Sequence, residues 1–498
     1  MLENMLKTRN APPNAMAMLE ALRGLGYSTS AALADIIDNS ISAGASEVRV
    51  DFFWKGTASR ISIVDNGRGM TDAELESAMR LGDRSPLDLR AEHDLGRFGM
   101  GLKTASFSQC RRLTVKSKKN KAESCLRWDL EELAANPNAG WILFEGAAPE
   151  SEKFLKVLDH EFSGTVVLWE ILDRIVTDQY TVDNYNDLID VVESHLAMIF
   201  HRLLQGSRAK LKILLNGRAV EPWDPFMSGH PAKPWTSPVT NQLTTYGNVS
   251  VQCHVLPHRD KLTNSEFEHN AGPNGWTAQQ GFYVYRNERL LVAGGWLGLG
   301  SVRAWNREEA HRLARIRLDI PNTADADWKI DVRKSTARPP VSLRPWLMLL
   351  AENTRERARR VFAFRGSPAL PQGSEPLEQA WRVDRLKSGI RYKVDQSHPS
   401  VAAVLANAGE LQPLIQSMLR VIEETVPVQR IWLDTAENKE TPRTGFEGEP
   451  NAAIIEVASV LFDDLIGRKG LSVEDARKAI LRTEPFQKYP SLVAKLGS

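Results

Sequence analysis

Residues 28–70 leave the backbone little choice. Tyr27-Ser28-Thr29-Ser30 offers hydroxyl caps, and 31–43 then reads as a helix with Leu33, Ile36 and Ile37 turned inward. Val48–Trp54 and Arg60–Val64 alternate and are rich in β-branched residues, so they read as strands, with Lys55-Gly56 opening the turn between them. Asp65-Asn66-Gly67-Arg68-Gly69-Met70 follows the second strand directly. Leu113–Lys116 and Thr165–Glu170 read as later strands of the same sheet.

The 498 residues correspond to about three domains. At 42% hydrophobic and 25% charged, the chain has the composition of a globular protein and can bury cores. Lys plus Arg (63) balances Asp plus Glu (62), which excludes a uniformly basic nucleic-acid coat but not a local patch. Cys110, Cys125 and Cys253 are scattered without a CxxC, against a disulfide framework or a cysteine-built zinc site. No apolar run approaches the ~20 residues of a membrane helix. The opening MLENMLKTRNAPPN lacks a signal layout, so a soluble, cytoplasmic protein without membrane contact is expected.

Residues 14–24 read as a short helix stopped by Gly24 and Gly26. After a helical stretch near Tyr185–Leu204, a second region offers strands at Lys210–Leu215, Asn248–Val255, Gly281–Tyr285, Arg289–Val292 and Ala314–Ile320. The mixture of strands and helices makes the class α+β. Beyond Leu343 the pattern is mainly helical, at 346–363, 399–424 and 451–467, with polar breaks at 366–375 and 437–449. The expected domains are 1–175, 176–342 and 343–498.

Four short segments carry chemistry. Asp35 and Asn39 are four apart on the capped helix and share a face. An acid and a carboxamide so placed can hold Mg²⁺ and a water together, the acid accepting a proton. A solvated, Asp-rich helix turn is the plainer alternative. In the Asp65–Met70 turn, Asp65 can accept a hydrogen bond from an exocyclic amine, and Gly69 leaves room for a planar ring. A hairpin turn alone would also use Asp-Asn-Gly. Gly96, Phe98, Gly99, Met100 and Gly101 precede an apparent helix near Leu102, so backbone N–H groups can meet phosphate oxygens, with Lys103 as a point charge. The spacing matches neither GxxxxGK[ST] nor GxGxxG. Gly164-Thr165 opens the last strand.

The order of these segments resembles the Bergerat-fold (GHKL) ATPases, the superfamily of gyrase, heat-shock-90 chaperones, histidine kinases and MutL. STSAALADIIDNSISAGAS followed by GRFGMGLKTASFS looks most like the MORC-type ATPases and their prokaryotic relatives. The resemblance covers about 14–170 and continues more loosely through 210–340. There NGRAVEPWDPF, GFYVYRNERLL and DWKIDVRKSTARPP look like a ribosomal-S5-like transducer domain. It implies a Bergerat-fold domain with a mixed sheet and helices on one face, then an S5-like α/β domain, then a mainly helical region.

By that resemblance the cofactors are ATP and Mg²⁺, with Asn39 as the metal ligand and Asp35 at the general-base position. That position is usually Glu; Asp is one methylene shorter, which implies slow turnover. Asp38 is a possible substitute base. Asp65 matches the adenine-reading acid, Gly67, Gly69 and Met70 the pocket lining, and Thr165 a residue that helps bind adenine. Gly96, Phe98, Gly99, Met100, Gly101 and Lys103 match the phosphate loop, and Thr71–Asp94 the lid. Lys334 is the expected cation on the γ-phosphate, with Lys329 and Arg338 as rivals. The resemblance further implies an ATP-gated clamp, a homodimer on ATP binding, and an association with DNA in repair, restriction-modification or phage defence. A protein chaperone of the heat-shock-90 kind, with protein partners, and a non-hydrolysing nucleotide-binding scaffold are the alternatives.

Two further features have plain readings. His254 and His258 flank Pro257 with no third metal ligand nearby. The Lys116–Lys121 run can touch nucleic acid but equally suits a solvated hairpin.

Overall fold

The computed structural model describes residues 13–24, 26–83, 101–136, 140–159, 161–206, 209–245, 247–300, 302–324, 327–330, 336–363, 378–386, 389–428, 431, 450, 452–484 and 486–497. The chain divides into two compact units, Met1–Ala363 and Phe364–Ser498. That division falls one helix beyond the boundary expected at 343, because Arg344–Ala363 packs on the strands of the first unit.

Helix α1 (Ala15–Arg23) starts at Asn14, whose side chain accepts from the Ala17 N–H, and stops at Gly24. Helix α2 (Thr29–Ser42) is capped by Ser28, which accepts from the Ala31 N–H. Leu33, Ile36 and Ile37 are buried as expected, each worth roughly 1.5–3 kcal/mol of apolar burial. The first sheet holds β1 (Glu47–Phe53), β2 (Arg60–Asp65), β3 (Arg112–Lys119), β4 (Ala122–Asp129), β5 (Phe144–Glu145), β6 (Gly164–Glu170), β7 (Lys212–Leu215) and β8 (Arg218–Ala219). Their spatial order is β5-β4-β3-β6-β2-β1-β7-β8. All neighbours are antiparallel except β1 and β7, so the sheet is mixed.

Strand alternation divides the packing. Ile61, Ile63, Val167 and Trp169 join the α2 residues in the main core. Val64, Val166 and Leu168 point the other way and meet Leu155 and Leu158 from two short 3₁₀ turns. Helices therefore crowd one face, while a small cover shields the middle of the other. The Lys210–Leu215 strand, expected in the second region, belongs to this first sheet. After α3 (Asp72–Met79), α4 (Gly101–Phe107) and α5 (Leu130–Ala135) comes helix α6 (Val182–Ile199), which packs on α2, and Lys212–Leu215 then runs parallel to β1.

A second sheet comprises β9 (Trp235–Thr236), β10 (Thr240–Thr244), β11 (Gly247–Val255), β12 (Gly281–Arg286), β13 (Arg289–Ala293) and β14 (Ala314–Asp319). The path is β10-β11-β14-β12-β13, with β9 on β11. Strand β12 is buried throughout, and its two faces serve different cores. Tyr283 and Tyr285 enter the main core, whereas Phe282 and Val284 enter a second core under Arg344–Ala363. This shared wall joins both sheets into one unit.

The second unit packs Ile454, Leu461, Ile480 and Phe486 from helices Ala452–Gly467 and Val473–Leu481 and the turn beyond them. To the mainly helical pattern expected it adds a hairpin, Trp381–Leu386 with Gly389–Val394. The 399–424 helix is broken into Pro399–Asn407 and Gln412–Glu424 where Gly409 takes a φ of +50°. Among the described residues no helix is long and apolar enough to cross a membrane.

Candidate functional site

The site forms where α2 crosses the ends of β2 and β6. Asp65 ends β2 and faces Thr165 across the antiparallel pair. Its Oδ2 accepts from the Ser40 hydroxyl at 2.9 Å and its Oδ1 from the Gly67 N–H at 2.9 Å. Burial pushes the carboxyl pKa up, while the Gly67 N–H, the Ser40 hydroxyl and the Thr165 backbone pull it back. Each carboxylate oxygen has two lone pairs, so both retain accepting capacity.

The neighbouring turn is held by a hydroxyl relay. The Met70 N–H donates to Ser117 Oγ at 2.9 Å, and Ser117 Oγ donates to the Gly164 carbonyl at 3.2 Å. The Thr165 hydroxyl then donates to Ser117 at 2.9 Å, which leaves its own lone pairs available. Gly67 and Gly69 are needed here for close packing. A Cβ on Gly67 would lie 2.9 Å from Ala43 Cβ and from Asp65 Oδ1. Gly69 has a φ of +66°, and a Cβ there would lie 1.9 Å from the Lys118 carbonyl oxygen. The absent side chain of Gly69 thus admits strand β3, where room for a planar ring was expected.

Along α2 the predicted groups separate by direction. Asp35 is buried, and its Oδ2 accepts from the Tyr27 hydroxyl at 3.1 Å. Asn39 is exposed, and its side-chain amide makes no hydrogen bond to the described residues. Asp38 points elsewhere, to Arg289 Nε at 3.2 Å, so it is not the substitute base considered for it. From Asp35 to Ser40, α2 rises about 7–8 Å. One helix therefore spans from the Tyr27–Asp35 contact to the Ser40–Asp65 contact, with Asn39 between.

Lys103 is turned toward helix α3. Its Nζ donates to the Ala78 and Arg80 carbonyls at 2.8 and 2.9 Å, closing the C-terminus of α3 (Asp72–Met79). It sits on α4 (Gly101–Phe107), where Gly101 is the first residue. Gly96, Phe98, Gly99, Met100 and Lys334 lie outside the described residues. Lys329 and Arg338 are exposed, and the Arg338 N–H donates to the Trp328 carbonyl at 2.7 Å. A cavity of about 400 Å³ lined by Gln242–Thr245 with Ala324, Trp328, Pro340 and Leu343 shares no lining residue with the site.

Residues 27–165 match the family model described as histidine kinase-, DNA gyrase B-, and HSP90-like ATPase. The match supports a GHKL-type ATPase domain. No curated protein matches the chain. The limits of the match, Tyr27 and Thr165, are both site residues, and ATP binding is the activity this domain supports.

Mg²⁺ fits the donors present. Among the described residues no cluster of three or more His, Cys, Asp or Glu could hold a metal. A lone, exposed amide suits an ion that keeps its waters and takes its other ligands from phosphates. Sequence reasoning missed Ser40, Ser117 and Tyr27. Ser117 lay hidden in a lysine-rich run; its alternation along β3, opposite Thr165, was the available signal.

Other features resolve plainly. Lys116 pairs with Glu123 and Asp159, Lys118 donates to the Leu158 and Asp159 carbonyls, and Lys119 pairs with Glu74. The basic run is a charge-paired hairpin, turned at Asn120 and Lys121 with φ of +52° and +70°. His254 packs on Phe226 at 4.5 Å and bonds Thr236 through Nδ1 at 3.1 Å.

Proposed function

We propose that the chain is a Mg²⁺-dependent ATPase that works as an ATP-gated conformational switch. The observation that carries this is the single helix α2, which bears Asp35 and Asn39 and grips Asp65 through Ser40. In this reading Asp65 accepts from the adenine amine and Thr165 assists, Asn39 holds the metal, and Asp35 accepts the proton of the attacking water, with Tyr27 fixing its carboxylate. Bound Mg²⁺ would neutralise phosphate charge. Thr71–Asp94 would be the lid and Gly96–Lys103 the phosphate loop, of which 84–100 lie outside the described residues. The second sheet would act as the S5-like transducer, bringing Lys334, or its rivals Lys329 and Arg338, to the γ-phosphate.

Calorimetry and steady-state hydrolysis test this. Asp65→Asn loses about tenfold or more in ATP affinity, the scale of a hydrogen bond to a charged group. Asp35→Ala keeps affinity and loses on the order of 10²-fold or more in turnover. Unchanged binding in Asp65→Asn defeats the adenine assignment; unchanged turnover in Asp35→Ala favours the non-hydrolysing scaffold. The MORC-like clamp on DNA and the ATP-dependent dimer rest on the resemblance. Duplex DNA that stimulates turnover in a salt-sensitive way supports the clamp. Indifference to DNA with suppression of client aggregation supports the chaperone alternative.

A further inference from the structure

Helix α2 sends one acidic side chain away from the site. Asp38 is 2% exposed and Arg289, the first residue of β13, is 4% exposed. Arg289 Nε lies 3.2 Å from both carboxylate oxygens of Asp38, and its Nη1 donates to the Leu290 carbonyl at 2.5 Å. The two residues are 251 apart in sequence. The guanidinium also lies 5.7 Å from the ring centre of Phe200, just beyond α6. Helix α6 packs on both α2 and β13. His195 on α6 faces the same charge; burial first, and Arg289 second, push its pKa down to about 4. It is neutral near pH 7 and adds no second cation there.

A buried ion pair is a poor way to gain stability, since desolvation offsets the attraction, and apolar side chains of similar volume often serve as well or better. It is a good way to fix direction, because losing one partner strands a buried charge. Asp38 adjoins Asn39 and lies three residues from Asp35. A displacement of β13 therefore acts on the turn of α2 that holds both groups.

We propose that Arg289 is a positioning residue for ATP turnover: through Asp38 it sets the rotation of α2, and so makes the Asp35–Asn39 geometry depend on the second sheet. This rests on the ATPase reading above. Ser40 on α2 holds one oxygen of Asp65, but the Gly67 N–H holds the other from outside the helix, so nucleotide affinity should change less than turnover.

The test uses the full chain with Arg289→Met, Arg289→Lys and the apolar double variant Asp38→Leu/Arg289→Met. Without nucleotide, hydrogen exchange of the 29–43 peptide should speed up about tenfold or more in Arg289→Met. With saturating ATP, its kcat should fall about tenfold or more, as small misplacements do, while the nucleotide Kd stays within about threefold. Arg289→Lys should recover at least half of kcat, and it carries the test if Arg289→Met does not fold. The double variant should recover thermal stability but not kcat. Two results overturn the proposal: unchanged 29–43 exchange in Arg289→Met, or a double variant that recovers kcat together with stability. A wild-type chain that neither binds nor hydrolyses ATP defeats the ATPase reading instead, and the exchange result still shows separately whether β13 restrains α2.

Discussion

The two sheets of the Met1–Ala363 unit differ in how they bury titratable acids and histidines. Around the first sheet the buried site carboxylates have donors aimed at them, Asp65 by Ser40 and Gly67, Asp35 by Tyr27, Asp38 by Arg289, and the buried cations Arg23, Lys103 and Lys118 donate to carbonyls or to a carboxylate. Among the described residues no buried carboxylate oxygen lacks a partner. Around the second sheet the buried groups are histidines and arginines, and His201 Nδ1, His254 Nε2 and Arg315 Nη2 have none. Burial lowers the pKa values of His201 and His254 to about 4, so they pack as neutral rings. The first region keeps charge and accepting capacity at Asp65; in the second, His201 and His254 give up charge to complete a core.

The largest effect should come from glycines of like backbone and unlike surroundings. Gly69 and Gly298 have φ of +66° and +69°, but a Cβ on Gly69 would strike the Lys118 carbonyl at 1.9 Å, while Gly298 has open space. Gly298→Ala should cost about 1 kcal/mol, the backbone term alone. Gly69→Ala should cost about 3 kcal/mol or more, because β3 must move. Urea unfolding of both variants decides it. Equal losses would mean that β3 yields freely, and the tight packing assigned to the first region would be wrong.

What could be read without coordinates followed from local rules. Ser28 as a cap and the strand patterns of β1 and β2 need only residues close in sequence. Failures came where a partner is distant. Lys103 beside glycines reads as a phosphate ligand, but its reach to the Ala78 and Arg80 carbonyls depends on where α3 ends in space. Asp38 and Arg289 carry no mutual signal across 251 residues. Lys210–Leu215 has the pattern of any short strand, and only the pairing with β1 assigns Lys212–Leu215 to the first sheet. In the second unit the Trp381–Val394 hairpin was legible in its alternation around Ser388-Gly389, but it was masked by the helices that follow.

Acid should separate the two regions next. The folded pKa of His201 is about 4 against an ordinary 6.5, so between those values the unfolded chain binds more protons. Stability from keeping His201 neutral is present above pH 6.5 and is lost as pH falls toward 4. Asp65 has the reverse sign. Its pKa is raised above 3.8, the folded chain binds more protons above that value, and falling pH relieves its burial. His201→Gln, which can keep a bond to the Tyr285 hydroxyl, should remove on the order of 1–3 kcal/mol of the acid loss. Asp65→Asn should raise stability more at pH 7 than at pH 4. Urea midpoints across this range measure both; parallel pH profiles for the two variants would erase the contrast.

The smallest effect sharpens the comparison at its edge, where charge is exposed and water should cancel most of it. Glu74 closes a capping box with Thr71 at the start of α3 and pairs with Lys119 at 2.7 Å. Lys119 and the Thr71 N–H hold its carboxyl down at about 2. A depressed carboxylate contributes above its ordinary pKa of 4.5 and loses that contribution as pH falls toward 2. The side chain is 49% exposed, so solvent screens the pair. Glu74→Gln preserves a capping amide and removes only the charge, so it should cost about 0.5 kcal/mol or less, and the difference should vanish in high salt. Thermal melts at low and high ionic strength check it. A loss above about 1 kcal/mol that persists in salt would show that the β3–β4 hairpin and α3 are joined as rigidly as the buried pairs.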